Sequence, residues 1–145
     1  MTDSIVVVVD GEPQGKGRPR AFRAGKGVRM FTPEKTRAYE EEIAAEARKA
    51  MAKLPPFECP CLLELRMVFG VPASWSKAKR QAALAGEIVP TKKPDTDNVI
   101  KALCDALNAI VWVDDVQVTD VIARKRFGER PHIEARITPL NKRRS

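Results

Sequence analysis

The stretch from Lys92 to Val118, KKPDTDNVIKALCDALNAIVWVDDVQV, constrains the fold more than any other. Within it Val99, Ile100, Leu103, Ala106, Leu107 and Ile110 recur at helical spacing, so Asp97 to Ile110 is predicted as a helix with one apolar face. Such a face needs a second layer to cover it, and strands elsewhere in the chain supply one. Ile5 to Val9 is a β-branched run closed by Asp10-Gly11 and reads as a buried first strand, with Cys61 to Val71 as the second. Thr32-Pro33-Glu34 marks a helix start, with Thr32 as N-cap and Pro33 at the first helical position. That helix runs to about Lys53, acidic at its start and basic at its end as the macrodipole prefers, and Leu54-Pro55-Pro56 stops it. Ser74-Trp75-Ser76 opens a shorter helix that reaches about Ala85. Val116 to Phe127 and His132 to Thr138 are predicted as strands of a hairpin joined through Gly128-Glu129-Arg130-Pro131. The order β-α-β-α-α-β-β implies an α+β fold, a mixed sheet of about four strands with helices packed against it. A chain of 145 residues fits one domain, residues 1–145, with 11–31 as a basic flexible loop and 141–145 as a loose basic tail.

The scarcity of His and Cys closes off several chemistries. Cys59, Cys61 and Cys104 form no CxxC pair, which excludes a zinc ribbon or finger. A His-based triad or a two-His metal site would have to run through His132 alone. Three Cys argue against a disulfide framework and for a reducing compartment. No apolar run is long enough to span a bilayer, and MTDSIVVVVD, with its acidic residue and short apolar run, is not a signal peptide. The expectation is a cytoplasmic protein with no membrane partner and no organic cofactor.

Charge is segregated. Lys and Arg number 26 against 19 Asp and Glu, a formal net charge of +7. Pro13 to Phe31 holds Lys16, Arg18, Arg20, Arg23, Lys26 and Arg29 with no acidic residue, and Phe22 and Phe31 are interleaved. A middle group contains Lys77, Lys79, Arg80, Lys92 and Lys93, and a third runs from Arg124 to Arg144. Each basic side chain that meets a phosphate releases condensed counterions, so the clusters point to nucleic acid. Lys16, Arg18, Arg20, Arg23, Lys26, Arg29, Lys92 and Lys93 are the candidate DNA contacts. The plainer alternative for any one cluster is a solvated loop without a partner.

The carboxylates are the counterpart. Asp95 and Asp97 alternate just before the predicted helix, so in extended backbone they face one way. Asp114 and Asp115 follow the helix. Carboxylate oxygens suit a hard cation such as Mg²⁺, which activates water and stabilises charge on a leaving oxygen. A helix of about 14 residues is roughly 21 Å long, so Asp115 reaches Asp97 only if the following strand returns antiparallel to the helix. Lys101 stands four residues from Asp97 and from Asp105, on one face, where it could stabilise developing charge on a phosphorane or a leaving 3′-oxygen. Each residue also has a plainer role: Asp97 as an N-cap, Lys101 as a surface ion pair, Asp114-Asp115 as a solvated turn. Trp75, Trp112 and the three Cys read as packing residues, with Cys104 facing inward, and His132 reads as a surface residue.

Two motifs resemble the RusA family of Holliday junction resolvases, endonucleases of bacteria and their phages. The first is GEPQGKGRPR, with Thr36 and Tyr39 following in the first helix. The second is KPDTDNVIKALCDALN followed by VWVDDVQV, similar in order and spacing to the family's D-x-D-N, Lys, D-A-L and W-x-D-D-x-Q-V elements. The resemblance implies metal-binding catalytic carboxylates at Asp95, Asp97 and Asp115 and a catalytic contribution from Lys101. It implies Mg²⁺, or Mn²⁺ in its place, and a homodimer that nicks opposite strands of a four-way junction, in DNA recombination and repair. Asn98, Asp105, Trp112 and Gln117 match positions read as supporting structure. Many family members carry Gly where this chain has Ala109, which bears on the turn there, and the 74–88 segment is longer than in the shortest members. Two other readings stay open: a non-catalytic basic DNA- or RNA-binding protein, and the same nuclease chemistry on flaps or forks.

Overall fold

Alternation builds the sheet. The computed structural model describes residues 4–17, 20–25, 27–31 and 33–140. Its elements in chain order are β1 (Ile5–Asp10), β2 (Arg20–Ala24), β3 (Gly27–Phe31), α1 (Glu34–Met51), β4 (Cys61–Gly70), α2 (Lys77–Leu84), α3 (Thr96–Leu107), a 3-10 turn (Asp115–Gln117), β5 (Val118–Gly128) and β6 (His132–Pro139). Four strands form a mixed sheet in the order β1-β6-β4-β5, with β4 and β5 parallel and the other pairs antiparallel. Register aligns the apolar residues in rows: Ile5, Ile137 and Leu63 in one, Val7, Ala135 and Leu65 in the next, Val9, Ile133 and Met67 in a third. All nine are buried. The intervening residues, among them Glu64, Arg66, Glu134 and Arg136, point to the opposite face, since successive side chains alternate. α1 and α3 cover the apolar face, α1 through Tyr39, Ile43, Ala47 and Met51 at helical spacing. Burial pushes the Tyr39 phenol up to about 12, so it stays protonated within the core.

The α+β class and the four-stranded mixed sheet stand as expected from sequence. Three local expectations do not. β5 and β6 are not a hairpin: they flank β4 on opposite sides, and the 129–131 segment passes over the end of β4. β6 carries three fully buried residues, Ile133, Ala135 and Ile137, and so takes a central position, whereas β5 has none and stays at the edge. The segment from Gly11 to Met30 is not all loop, because β2 and β3 pair antiparallel around Gly25, whose φ is +62°. Gly tolerates that conformation without steric cost, which is what a tight turn here requires. The helix predicted from Asp97 to Ile110 starts at Thr96 and stops at Leu107, since Asn108 is extended and Ala109 has φ +67°. Thr32, the expected cap of α1, lies outside the described residues, and Pro33 occupies the capping position.

Candidate active site and nucleic-acid interface

α3 turns its apolar side inward through Val99, Ala102, Leu103, Ala106 and Leu107. Asp97, Lys101 and Asp105 are left on the exposed side, each one turn from the next. The plainer roles for these residues do not hold. The capping position belongs to Asp95, not Asp97, and no side chain caps the helix. The Asp95 carbonyl accepts from the Asn98 and Val99 amides, at 3.1 Å each, and its carboxylate stays exposed. Lys101 forms no ion pair among the described residues. Asp105 pairs instead with Lys16, 2.9 Å away, and Lys16 also meets Glu40 at 2.7 Å.

The chain reverses after α3 through a turn with few free hydrogen-bonding groups. The Trp112 indole is fully buried and donates to Asn108 Oδ1 at 2.8 Å. The Asn108 side chain also bonds Asp115. Gln117 uses its whole amide: Oε1 accepts from the Val113 and Asp114 amides, and Nε2 donates to the carbonyls of Phe57 and Cys59. Asp114 caps the 3-10 turn, so the Asp114-Asp115 pair is an ordered turn rather than a loose one. Desolvation raises the Asp115 carboxyl above its ordinary range, and Asp114 and Asp105 raise it further, against the Asn108 bond. Burial pushes the Cys104 thiol up to about 12, with Asp115 and Asp105 adding to it, so Cys104 is an inert inward packing residue.

β5 does return antiparallel to α3, as Lys125 near its far end donates to the carbonyls of Lys92 and Pro94 at the start of the helix. Asp115, however, precedes the strand. It therefore lies by Asp105 and Asn108, whereas Asp97 stands two turns back, about 12 Å of helix rise from Asp105. Oxygen donors suit Mg²⁺ or Mn²⁺, but among the described residues no three Asp, Glu, His or Cys side chains stand together as a metal site. Asp95, Asp97 and Asp115 therefore do not stand together as a three-ligand cage among the described residues.

The basic residues divide in the same way. Arg18 and Lys26 lie outside the described residues. Arg20, Arg23 and Arg29 belong to the β2–β3 hairpin, with Arg23 exposed. Lys16, expected as a phosphate contact, is held between α1 and α3 by its two carboxylates. Its pKa falls with burial but rises more through the bonds to Glu40 and Asp105, for a net increase. Lys92 and Lys93 are exposed. A cleft of about 740 Å³ is lined by Lys16, Gly17, Lys35, Lys93, Asp95 and Asn98, among others. The segment 13–17 forms one wall, because the Lys16 amide bonds the Asn98 carbonyl and the Gly17 amide bonds Thr36 Oγ1 at 2.8 Å. A Cβ on Gly17 would stand 2.7 Å from that same oxygen, so the close approach requires glycine.

The family described as Endodeoxyribonuclease RusA matches residues 10–138. The chain belongs to the RusA family. A Bacillus subtilis (strain 168) protein, "Uncharacterized protein YqaN", is 36% identical over 142 residues, which is 96% of this chain and 99% of that one. RusA membership makes the chain an endodeoxyribonuclease whose partner is DNA. No helix among the described residues is long and apolar enough to cross a membrane. In this RusA domain, sequence reasoning missed Lys35 in the cleft, and it counted Lys125 only in the C-terminal basic group, without its place behind the 92–94 loop. Neither carries a motif signal, because their places follow from how α1 and β5 pack. It also gave Asn108 no role, although the spacing Asn108, Trp112, Asp115 and Gln117 within one turn was there to read.

Proposed function

We propose that the chain resolves Holliday junctions as a homodimer, cutting two strands symmetrically by metal-dependent phosphodiester hydrolysis. The observation that carries this reading is the exposed face of α3. Asp97 and Lys101 stand free of capping and of ion pairs among the described residues, beside a cleft that combines Asp95 with Lys35 and Lys93. Asp95, Asp97 and Asp115 are the catalytic carboxylates in this reading, and Lys101 stabilises charge that develops on the phosphate oxygens. Water is the nucleophile, so the shortage of His is no obstacle. Mg²⁺ is commonly held by one or two carboxylates with substrate phosphates and water filling its shell. For the dimer, a two-fold junction needs paired cuts and a two-fold protein supplies paired sites. β5 is a sheet edge, and Val113, Val116, Val121 and Ile122 on it and before it are exposed apolar residues of the kind an interface covers.

The test is a synthetic four-way junction incubated with the protein and Mg²⁺ or EDTA, beside flap, fork and duplex substrates. Paired nicks with Mg²⁺ alone, on the junction in preference to the others, are expected. Asp97→Asn is expected to bind the junction at least as tightly, since a negative charge near phosphate is removed, and to cut nothing. Binding without cleavage by the unaltered protein in Mg²⁺ would overturn the enzymatic reading.

A further inference from the structure

A second pocket, of about 300 Å³, opens between β4, the 88–93 loop and the end of β5. Phe69, Trp75 and Phe127 line it, together with Lys79, Lys92 and Lys93. This volume lies at the small end for ligand sites. Trp75 meets the Phe127 ring edge-on, with centroids 5.2 Å apart, and the Lys79 ammonium sits 4.0 Å from the indole centroid. Aromatic walls with a cationic rim are what a single-stranded nucleotide needs, a surface for the base and a charge for the phosphate. Position selects this ligand over others. Lys93 lines both this pocket and the larger cleft that contains Asp95, so the two cavities meet at one residue. Lys125 fastens the backbone on either side of it, at Lys92 and Pro94.

We infer that this pocket takes an unstacked nucleobase of the DNA strand whose phosphate lies at Asp95, with Lys79, Lys92 and Lys93 on the adjoining phosphates. The inference rests on the proposed junction reading and deepens it. The Lys79 ammonium occupies the place over Trp75 that a stacked base would take. On binding it moves from the ring to a phosphate, exchanging a cation–π contact for a charge pair. A branch point supplies the base at low cost, because bases there are already partly unstacked. An intact duplex does not.

The experiment uses the full chain with a four-way junction and a matched duplex, in EDTA so that the strands stay intact. The chain has two Trp, and Trp112 is fully buried, so a DNA-dependent change in indole emission that disappears in Trp75→Leu reports on Trp75. The junction is expected to quench emission and the duplex to leave it unchanged. Trp75→Leu is expected to weaken junction binding about tenfold, the loss of one stacked base, with duplex affinity unchanged. Lys79→Met, an exposed position that spares the fold, is expected to lower the salt dependence of junction binding by about one unit and leave that of duplex binding alone. Junction binding with unquenched emission and an unaltered salt dependence in Lys79→Met would overturn the inference while leaving the nuclease reading intact. Failure of the unaltered protein to bind the junction would overturn that reading, and the inference with it.

Discussion

Ala109 has φ +67°, and its amide bonds the Trp112 carbonyl at 2.7 Å. Family members that carry Gly here have the residue this geometry favours, so the sequence difference alters strain and not the path of the chain. The left-handed conformation costs an L-residue about 1–2 kcal/mol, and Gly loses about 0.5–1 kcal/mol of that gain to its freer unfolded chain. Ala109→Gly is therefore expected to stabilise the fold by about 0.5–1 kcal/mol, read as a higher midpoint in urea. At Lys16 the same experiment should read the other way. Lys16→Met strands Asp105 and Glu40 without their cation and is expected to cost about 1–2 kcal/mol. Because folding raises the Lys16 pKa above 10.5, its contribution is present below that pH and is lost as pH rises through the folded value. The deficit of Lys16→Met should thus be constant near neutrality and shrink in strong alkali. Asp115 has the opposite sign. Its raised carboxyl means the folded state holds the proton more tightly, so stability falls as pH rises from the ordinary Asp value of 3.8 through the folded value. Asp115→Asn is expected to raise Tm at pH 7 without divalent ions, and to abolish cleavage.

At the scale of elements, α3 and the turn behind it carry the site. The helix itself was legible in sequence, because its apolar residues recur at a period of 3.6 and only one face can be buried. Its last turn was not legible: Ile110 continues the spacing, but Asn108 leaves the helix to bond Trp112 and Asp115. Gln117 accepts two hydrogen bonds within that turn and ties it by two more to Phe57 and Cys59, residues about sixty positions away. Gln117→Ala should cost about 1–3 kcal/mol in chemical unfolding and reduce cleavage more than junction binding, since it loosens the Asp114-Asp115 turn and touches no basic contact. The β5–β6 pairing misread in sequence has a physical cause too. Two strands separated by a short Gly- and Pro-containing connector look like a hairpin, yet β4 offers β6 a longer apolar row than β5 does.

For the whole molecule, the sheet order decides which edges are free. β5 ends the sheet with Val121 and Ile122 exposed, 46% and 41%, and the proposed dimer would cover them. Ile122→Lys is expected to yield a folded monomer by light scattering and to convert paired junction cuts into single nicks. The sequence by itself determined the class of fold, the identity of α3 and its charged face, and the RusA motif residues, because periodicity and charge are local properties of a chain. It also supplied the candidate carboxylates, but not their arrangement. Only the tertiary structure decided that Lys16 pairs with Asp105 and Glu40, that Asp115 lies by Asp105 and Asn108, and that Lys93 joins two cavities. Those outcomes depend on where strands far apart in sequence pair, and that pairing is set by the burial of whole apolar rows, not by the residues that do the chemistry.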